Sequence, residues 1–174
     1  TPSKIEDDNF RIRVGEGQNA YHVSILNISG TSFGSISPKA IQSFSAGAKK
    51  GGFAHNTGEG SLSKYHEQGG GDTIWQISTG YFGCRTQAGD FDENQFAKKA
   101  QLPQVKMIEI KLSQGAKPGH GGMLLGAKVS PEIAETRNVP AYKDVISPHK
   151  HAEFSTPEEL LKFVSKLRNL SGGK

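Results

Sequence analysis

Cysteine is almost absent. The single thiol, Cys84, excludes an internal disulfide and a cysteine-only metal cluster within this chain. Such sparing use suits a reducing, cytoplasmic setting. Long apolar runs are lacking as well. No stretch approaches the ~18 residues of a membrane span, and no secretory leader is visible. The chain begins at Thr1 rather than at a methionine, so a preceding segment, a membrane anchor included, falls outside this reading. No long stripe of one charge appears either. Acidic and basic residues are interleaved, and the net charge of +4 leans toward an anionic ligand. A nucleic-acid module needs a clustered cationic face, which this pattern does not supply. Nothing repeats, and no linker divides the chain.

Glycine, by contrast, is plentiful, with 22 in 174 residues. The glycines sit at the ends of apolar runs rather than in a periodic array or one tail. That placement fits a loop-rich fold that binds a ligand against its backbone. Hydrophobic content of 34% and charged content of 22% are those of a globular domain with a real core.

Residues 1–20 read as a polar, irregular lead-in. YHVSILNIS (21–29) reads as a strand with Val23, Ile25, Leu26 and Ile28 toward a core. Ser37-Pro38 opens a helix, with serine as cap and proline in the first turn. That helix carries Ile41, Phe44 and Ala48 on one face and stops at Gly51-Gly52. GFAHNT, TIWQIST (73–79), VKMIEIKL (105–112) and KDVISP (143–148) are further strand candidates. NQFAKKAQ and PEIAETR are short helices. Thr156-Pro157 caps an amphipathic helix, PEELLKFVSKLRNL, with Leu160, Leu161, Phe163, Val164 and Leu167 inward and Gly172 beyond its end. Strand, glycine-rich loop and helix follow one another repeatedly, which predicts an α/β fold with parallel strands. Ligands then gather at the carboxyl ends of the strands, where the special loops lie. A closed eightfold barrel takes about 250 residues; four or five strand–helix units fit here, so a complete barrel does not.

Two loops carry the strongest chemical signal. HNTGEG (55–60) flanks Glu59 with glycines at a strand end, so a flat ring or an anion can approach the main chain; its plain alternative is a turn with a solvated glutamate. SQGAKPGHGG (113–122) places Lys117 among glycines, with Pro118 stiffening the loop just after it. It is not a phosphate-cradling P-loop, because no Gly-Lys-Ser/Thr opens a following helix. A lysine held there suits a carboxylate or negative charge on a reduced cofactor. TSFGSIS (31–37) offers small side chains and free backbone N–H groups. Tyr81 and Phe82 in GYFGCRT either pack on a ring or belong to the core, and Cys84 reads as a small buried apolar residue. His149 and His151 read as alternate histidines on a solvated loop rather than as metal ligands, and Lys98 and Lys99 as a wet helix face.

The ordered set SFGSIS, HNTGEG, GYFG, EIKLSQGAKPGHGG, KVSPEIAETR and VISP resembles the FMN-binding domain of glutamate synthases. It is closest to the short glutamate-synthase-like proteins that lack the glutaminase domain. The resemblance runs from about residue 21 to Lys174. It implies that residues 21–174 are the N-terminal half of an FMN-binding (β/α)8, or TIM, barrel. It also implies that the intact protein is an FMN-dependent oxidoreductase acting on CH–NH2 donors. In that chemistry 2-oxoglutarate, or a related 2-oxo acid, and ammonia yield an imine, and hydride from reduced FMN gives L-glutamate. An iron–sulfur cluster feeds the flavin in the complete enzymes, and its ligands are not in this chain. The electron donor is not specified.

By position, the resemblance gives Glu59 a place facing substrate and Lys117 one near both the flavin and the substrate carboxylate. Gln114 lies against the flavin ring, Arg137 clamps a substrate carboxylate, and Thr31, Ser32 and Gly34 lie beside the flavin edge. The sequence departs from the family at Met123, where a glutamine is usual, at Thr31, where methionine is usual, and at Tyr81, where arginine is usual. The loss of a polar contact at Met123 bears on the identity of the acid more than on the flavin. Half a barrel exposes strand edges, so this chain alone is expected to be inactive, to hold FMN weakly and to self-associate. The alternative reading is a flavin-fold binding or assembly module without catalysis.

Overall fold

The computed structural model describes residues 10–15, 17–115, 117 and 119–174. Half of the lead-in, and Pro118 with its expected stiffening role, lie outside the described residues. The central element is a parallel sheet of three strands, β3 (Ala54–Asn56), β4 (Asp72–Ile77) and β5 (Val105–Ile110), in that spatial order. Helices connect them on one face, giving the mixed α/β arrangement that the alternating pattern predicts.

The first expected strand is broken in two. Tyr21–Ser24 (β2) pairs antiparallel with Arg11–Val14 (β1), a strand inside the segment read as irregular. Ile28 then runs parallel beside β3, with its amide on the Ala54 carbonyl at 2.9 Å and its carbonyl accepting from Asn56 at 3.0 Å. Polar side chains make the break. Leu26 N–H donates to Ser24 Oγ at 3.2 Å, and Asn27 Nδ2 donates to the Ser24 carbonyl at 2.6 Å. Such local bonds replace ladder partners. Ile25 and Leu26 are consequently exposed, 70% and 67%, not core.

The capped helices form where the sequence places them. In α1 (Pro38–Gly51) Ser37 accepts from the Ala40 amide and Gly52 ends the helix in the left-handed region. Ile41, Ser45 and Ala48 are its buried face, while Phe44 stands at the edge of that face, 40% exposed. A further helix, α2 (Lys64–Gly69), escaped the sequence reading because it is short and polar. Contact with α1 holds it: Ser45 Oγ donates to the His66 carbonyl at 2.7 Å and accepts from the Gly71 amide at 3.2 Å. The helix α3 (Glu93–Ala100) buries Phe96 and Ala100, and Phe96 stacks on Trp75 at 5.3 Å. Lys99 departs from the expected wet face; it turns inward to Ser61 Oγ at 3.3 Å, and burial lowers its pKa.

The helix α5 (Pro157–Leu170) starts with a reciprocal cap, Thr156 Oγ1 accepting from Glu159 and the Glu159 carboxylate accepting from Thr156 N–H. Phe163 and Leu167 are buried against the sheet, whereas Leu161 is 67% exposed. A helix turns about 100° per residue, so Leu160, Phe163, Val164 and Leu167 share a stripe that Leu161 cannot join. The two-residue strands β6 (Met123–Leu124) and β7 (Val145–Ile146) pair antiparallel. This corrects the expectation of another parallel strand at 143–148. The chain between them, including α4 (Pro131–Arg137), doubles back: Gly126 N–H donates to Asp144 Oδ1 at 2.6 Å and Tyr142 N–H to the Val129 carbonyl at 2.9 Å.

Among the described residues no strand pairs with the outer edge of β5, and an open groove of about 730 Å³ lies between β1, β5 and α5. No described helix is long and apolar enough to cross a membrane.

Beneath the sheet end, His55 and His66 are fully buried with rings 5.0 Å apart. Burial lowers the His55 pKa to about 4; burial and then its neighbour His55 lower that of His66 to about 3. Both imidazoles are therefore neutral in the folded protein and would take up protons on unfolding below about pH 6.5. Stability is complete above that pH and falls as the pH drops toward 4 and 3, by at most about 1.4 kcal/mol per pH unit for each ring. Thermal melts between about pH 7.5 and 5 are expected to show Tm declining from near pH 6.5 downward; a flat profile contradicts the neutral pair.

Candidate functional site

The chain leaves β3 at Asn56 and turns at once. Gly58 adopts φ +61°, and Thr57–Gly60 forms a single tight turn that carries Glu59 to the end of the sheet. Asn56 secures this turn from both sides: Oδ1 accepts from Gly58 N–H at 2.9 Å, and Nδ2 donates to Glu109 on β5 at 2.9 Å. Gln76 on β4 donates to the same Glu109 oxygen. The three strands are thus fastened across their inner face just below the turn.

Glu59 is half-buried. Its Oε2 accepts from Gln114 Nε2 at 2.7 Å and from Ser78 Oγ at 3.1 Å, and Lys111 Nζ stands 3.5 Å away. Lys111 also donates to Gln114 Oε1 at 3.1 Å, closing a triangle of acid, ammonium and amide. Gly122 closes over this group; a Cβ there would fall 2.7 Å from Glu59 Oε1. Glu59, Lys111 and Gly122 line a cleft of about 210 Å³ at the carboxyl ends of the strands, with Gln114 and Ser78 bonded to Glu59 beside it.

Arg137, the last residue of α4, reaches the cleft from the other side. It is only 4% exposed. Nη2 donates to the Phe33 carbonyl at 3.0 Å and the guanidinium lies over the Phe82 ring at 5.2 Å, while Nε is buried without a partner. Burial draws its pKa down, and the charge of Glu59 opposes that shift. A buried guanidinium whose Nε is unpartnered, and to which no carboxylate among the described residues is bonded, suits an anion.

The residues singled out from sequence fall into two groups. Glu59, Gln114, Arg137, Ser32 and Gly34 gather around the cleft. Ser32 Oγ accepts from Gly60 N–H at 3.1 Å, and Gly34, at φ +103°, packs against Arg137 and Ile133. Thr31 faces away, bonded through Oγ1 to His55 Nε2 at 2.8 Å. Lys117 is exposed and does not line the cleft; its amide donates to the Gln114 carbonyl at 3.3 Å. Lys111 supplies the positive charge beside Glu59. The signal for it was the alternation of β5: Lys111 lies two residues beyond Glu109, so the strand period sends both to one face.

Tyr81 and Phe82 belong to the core, 1% and 3% exposed, and Cys84 is fully buried. His151 corrects the expectation of a solvated loop. It is 2% exposed, its Nε2 on the Lys111 carbonyl at 2.9 Å and its Nδ1 on the Tyr81 hydroxyl at 3.1 Å. Tyr81 in turn accepts from the Ala152 and Glu153 amides, so this buried chain of bonds holds the backbone of Lys111.

The close fit of the Gly58 turn generates a test. A Cβ at Gly58 would lie 2.6 Å from Ser32 Oγ and 2.8 Å from Ser32 N, at a φ that side chains resist. Gly58→Ala is expected to cost about 1–3 kcal/mol and to loosen residues 31–35. Urea melts and amide exchange of Ser32 to Ser35 check this; unchanged stability and protection contradict the geometry.

Residues 6–174 match the family described as the conserved region in glutamate synthase. The chain is 44% identical over 151 residues to the glutamate synthase large subunit-like protein YerD of Bacillus subtilis, covering 86% of this chain and 29% of that protein. It is 36% identical over 137 residues to the archaeal-type glutamate synthase [NADPH] of Thermotoga maritima, covering 79% and 24% respectively. With a Rhizobium meliloti glutamate synthase large subunit-like protein the identity is 32% over 152 residues, covering 86% and 31%. The chain thus spans less than a third of the length of each of these relatives. With the motif loops and the strand-end cleft in place, the match over nearly the whole chain establishes that it belongs to the glutamate synthase family.

Proposed function

We propose that this chain is the first half of a (β/α)8 barrel in a longer FMN-dependent oxidoreductase that aminates a 2-oxo acid. The observation that carries the reading is the convergence of Glu59, Lys111 and Arg137 on one cleft at the carboxyl ends of parallel strands, with Gln114 bonded to the first two. The edge of β5, unpaired among the described residues, and the groove beside it support the barrel reading, since a further strand and its helix would cover both. Iron–sulfur ligands and the docking of an electron donor fall to the rest of the longer protein.

The residues fit one wall of a flavin site. Lys111 and Gln114 offer donors at the strand end, and Gly30, Ser32 and Gly122 present bare backbone or a small side chain to the cleft. When bound, FMN supplies hydride chemistry that no side chain here can perform. The chain's own share is position and charge. Arg137 takes the acid's carboxylate on its buried fork. Lys111 balances negative charge that develops beside it. Glu59 faces ammonia and the nitrogen of the imine formed by loss of water, and holds the proton that the nitrogen exchanges as the amine forms. Lys117, on the exposed loop, meets the acid or the flavin from the rim.

The full-length protein, reduced and then given a 2-oxo acid and ammonia, tests this. Flavin reoxidation dependent on both is expected, slowed about 10²-fold or more in Glu59→Ala and in Lys111→Met. Wild-type rates in both variants would overturn catalysis at this cleft and leave the fold as a binding or assembly module.

A further inference from the structure

Taking the cleft as the amination site, we propose that Ser61 and Lys99 are positioning residues: their buried hydroxyl–amine bond holds the turn that presents Glu59 and fixes its place relative to Arg137. The observation that carries this is a backbone angle. Ser61 sits at φ +73° and ψ 170°. That region is essentially reserved for glycine, because a Cβ crowds the backbone there. The left-handed region that Asn138 uses to end α4, at φ 57° and ψ 56°, is milder. Gly58 and Gly60 show that the turn accepts glycine readily. A serine at the strained position therefore keeps its hydroxyl against the preference of the backbone.

The hydroxyl is engaged. Ser61 is 0% exposed, and its Oγ accepts from Lys99 Nζ at 3.3 Å. Lys99 comes from the last turn of α3 and pairs with no carboxylate among the described residues. An amine drawn inward without a counter-ion needs a polar partner, and Ser61 supplies it. Gly83, at φ +80°, makes room for the pair; a Cβ there would collide with Ser61 Oγ and stand 2.7 Å from Lys99 Nζ. The same glycine reaches the other wall of the cleft, its amide donating to the Arg137 carbonyl at 3.0 Å. One residue before Ser61, a Cβ on Gly60 would lie 3.1 Å from Arg137 Nη2. The junction thus joins the Glu59 turn to the residue that carries the guanidinium, and every group in it belongs to this chain. Released from Lys99, the strained residue relaxes toward an easier angle and carries Glu59, two positions away, with it. A misplacement of about 1 Å slows chemistry about a hundredfold, so a smaller drift gives an expected loss of about tenfold.

The double variant Ser61→Gly/Lys99→Met of the full-length, flavin-loaded protein separates position from stability. Glycine relieves the backbone and methionine leaves no stranded amine, so this variant is expected to melt at or above the wild-type temperature. Its amides at residues 58–61 are expected to exchange faster with solvent. Flavin reoxidation by 2-oxoglutarate and ammonia, counted per bound flavin, is expected to fall about tenfold. Ser61→Gly and Lys99→Met alone are each expected to lose as much rate as the pair, since either one breaks the same bond. A double variant that reoxidises at the wild-type rate overturns the inference and leaves the amination reading intact. One that melts well below the wild type does the same, because the strain at Ser61 is then absent. A wild-type protein whose flavin is not reoxidised in dependence on both substrates overturns the two together.

Discussion

One carboxylate oxygen ties three strand ends together. Glu59 follows β3, Ser78 follows β4, and Lys111 and Gln114 follow β5; all of them meet at Oε2 of Glu59. Each donor is half-buried or buried, so removing the acceptor would strand polar groups at about 1–3 kcal/mol apiece. A lysine held by an amide and a carboxylate has little rotational freedom left to lose when a ligand arrives, which is what preorganisation means here. The rest of the site is arranged around this knot. Gly122 lies against its outer oxygen, and the Ser32 loop is bonded to its turn through Gly60.

The support beneath is equally specific. Asn56, Gln76 and Glu109 fasten the inner face of the sheet one layer down. From the helix side, neutral His55 holds Thr31, and His151, backed by Tyr81, holds the Lys111 carbonyl. The loops at the strand ends are therefore anchored at both of their roots while their glycine backbones stay open. Function sits on the loops and rigidity comes from the scaffold.

Much of this was legible in the sequence, and the reason is local. Ser37 and Thr156 announce helix starts because a hydroxyl before a proline satisfies the first free amides, and Gly52 marks an end because few other residues take its φ. The strands at 54–56, 72–77 and 105–110 carry their own apolar pattern. What the sequence hid depends on partners far along the chain. Arg11–Val14 is a strand only because Tyr21–Ser24 lies beside it, and α2 is a helix held by Ser45 on α1. Met123–Leu124 and Val145–Ile146 are too short for any periodicity to speak for them. Lys117 draws the eye because glycines surround it, yet loop sequence does not say where a loop side chain points. Lys111 is set by strand alternation and stands at the acid. Likewise Tyr81 has a core role, and its hydroxyl organises the turn at His151.

The most direct test of the account is a crystal structure of the full-length protein with flavin and a 2-oxo acid bound. The account predicts the flavin within hydrogen-bond distance of Lys111 or Gln114, with the acid's carboxylate on the Arg137 guanidinium. A flavin and acid bound elsewhere, with Glu59, Lys111 and Gln114 still closed on one another, would contradict it.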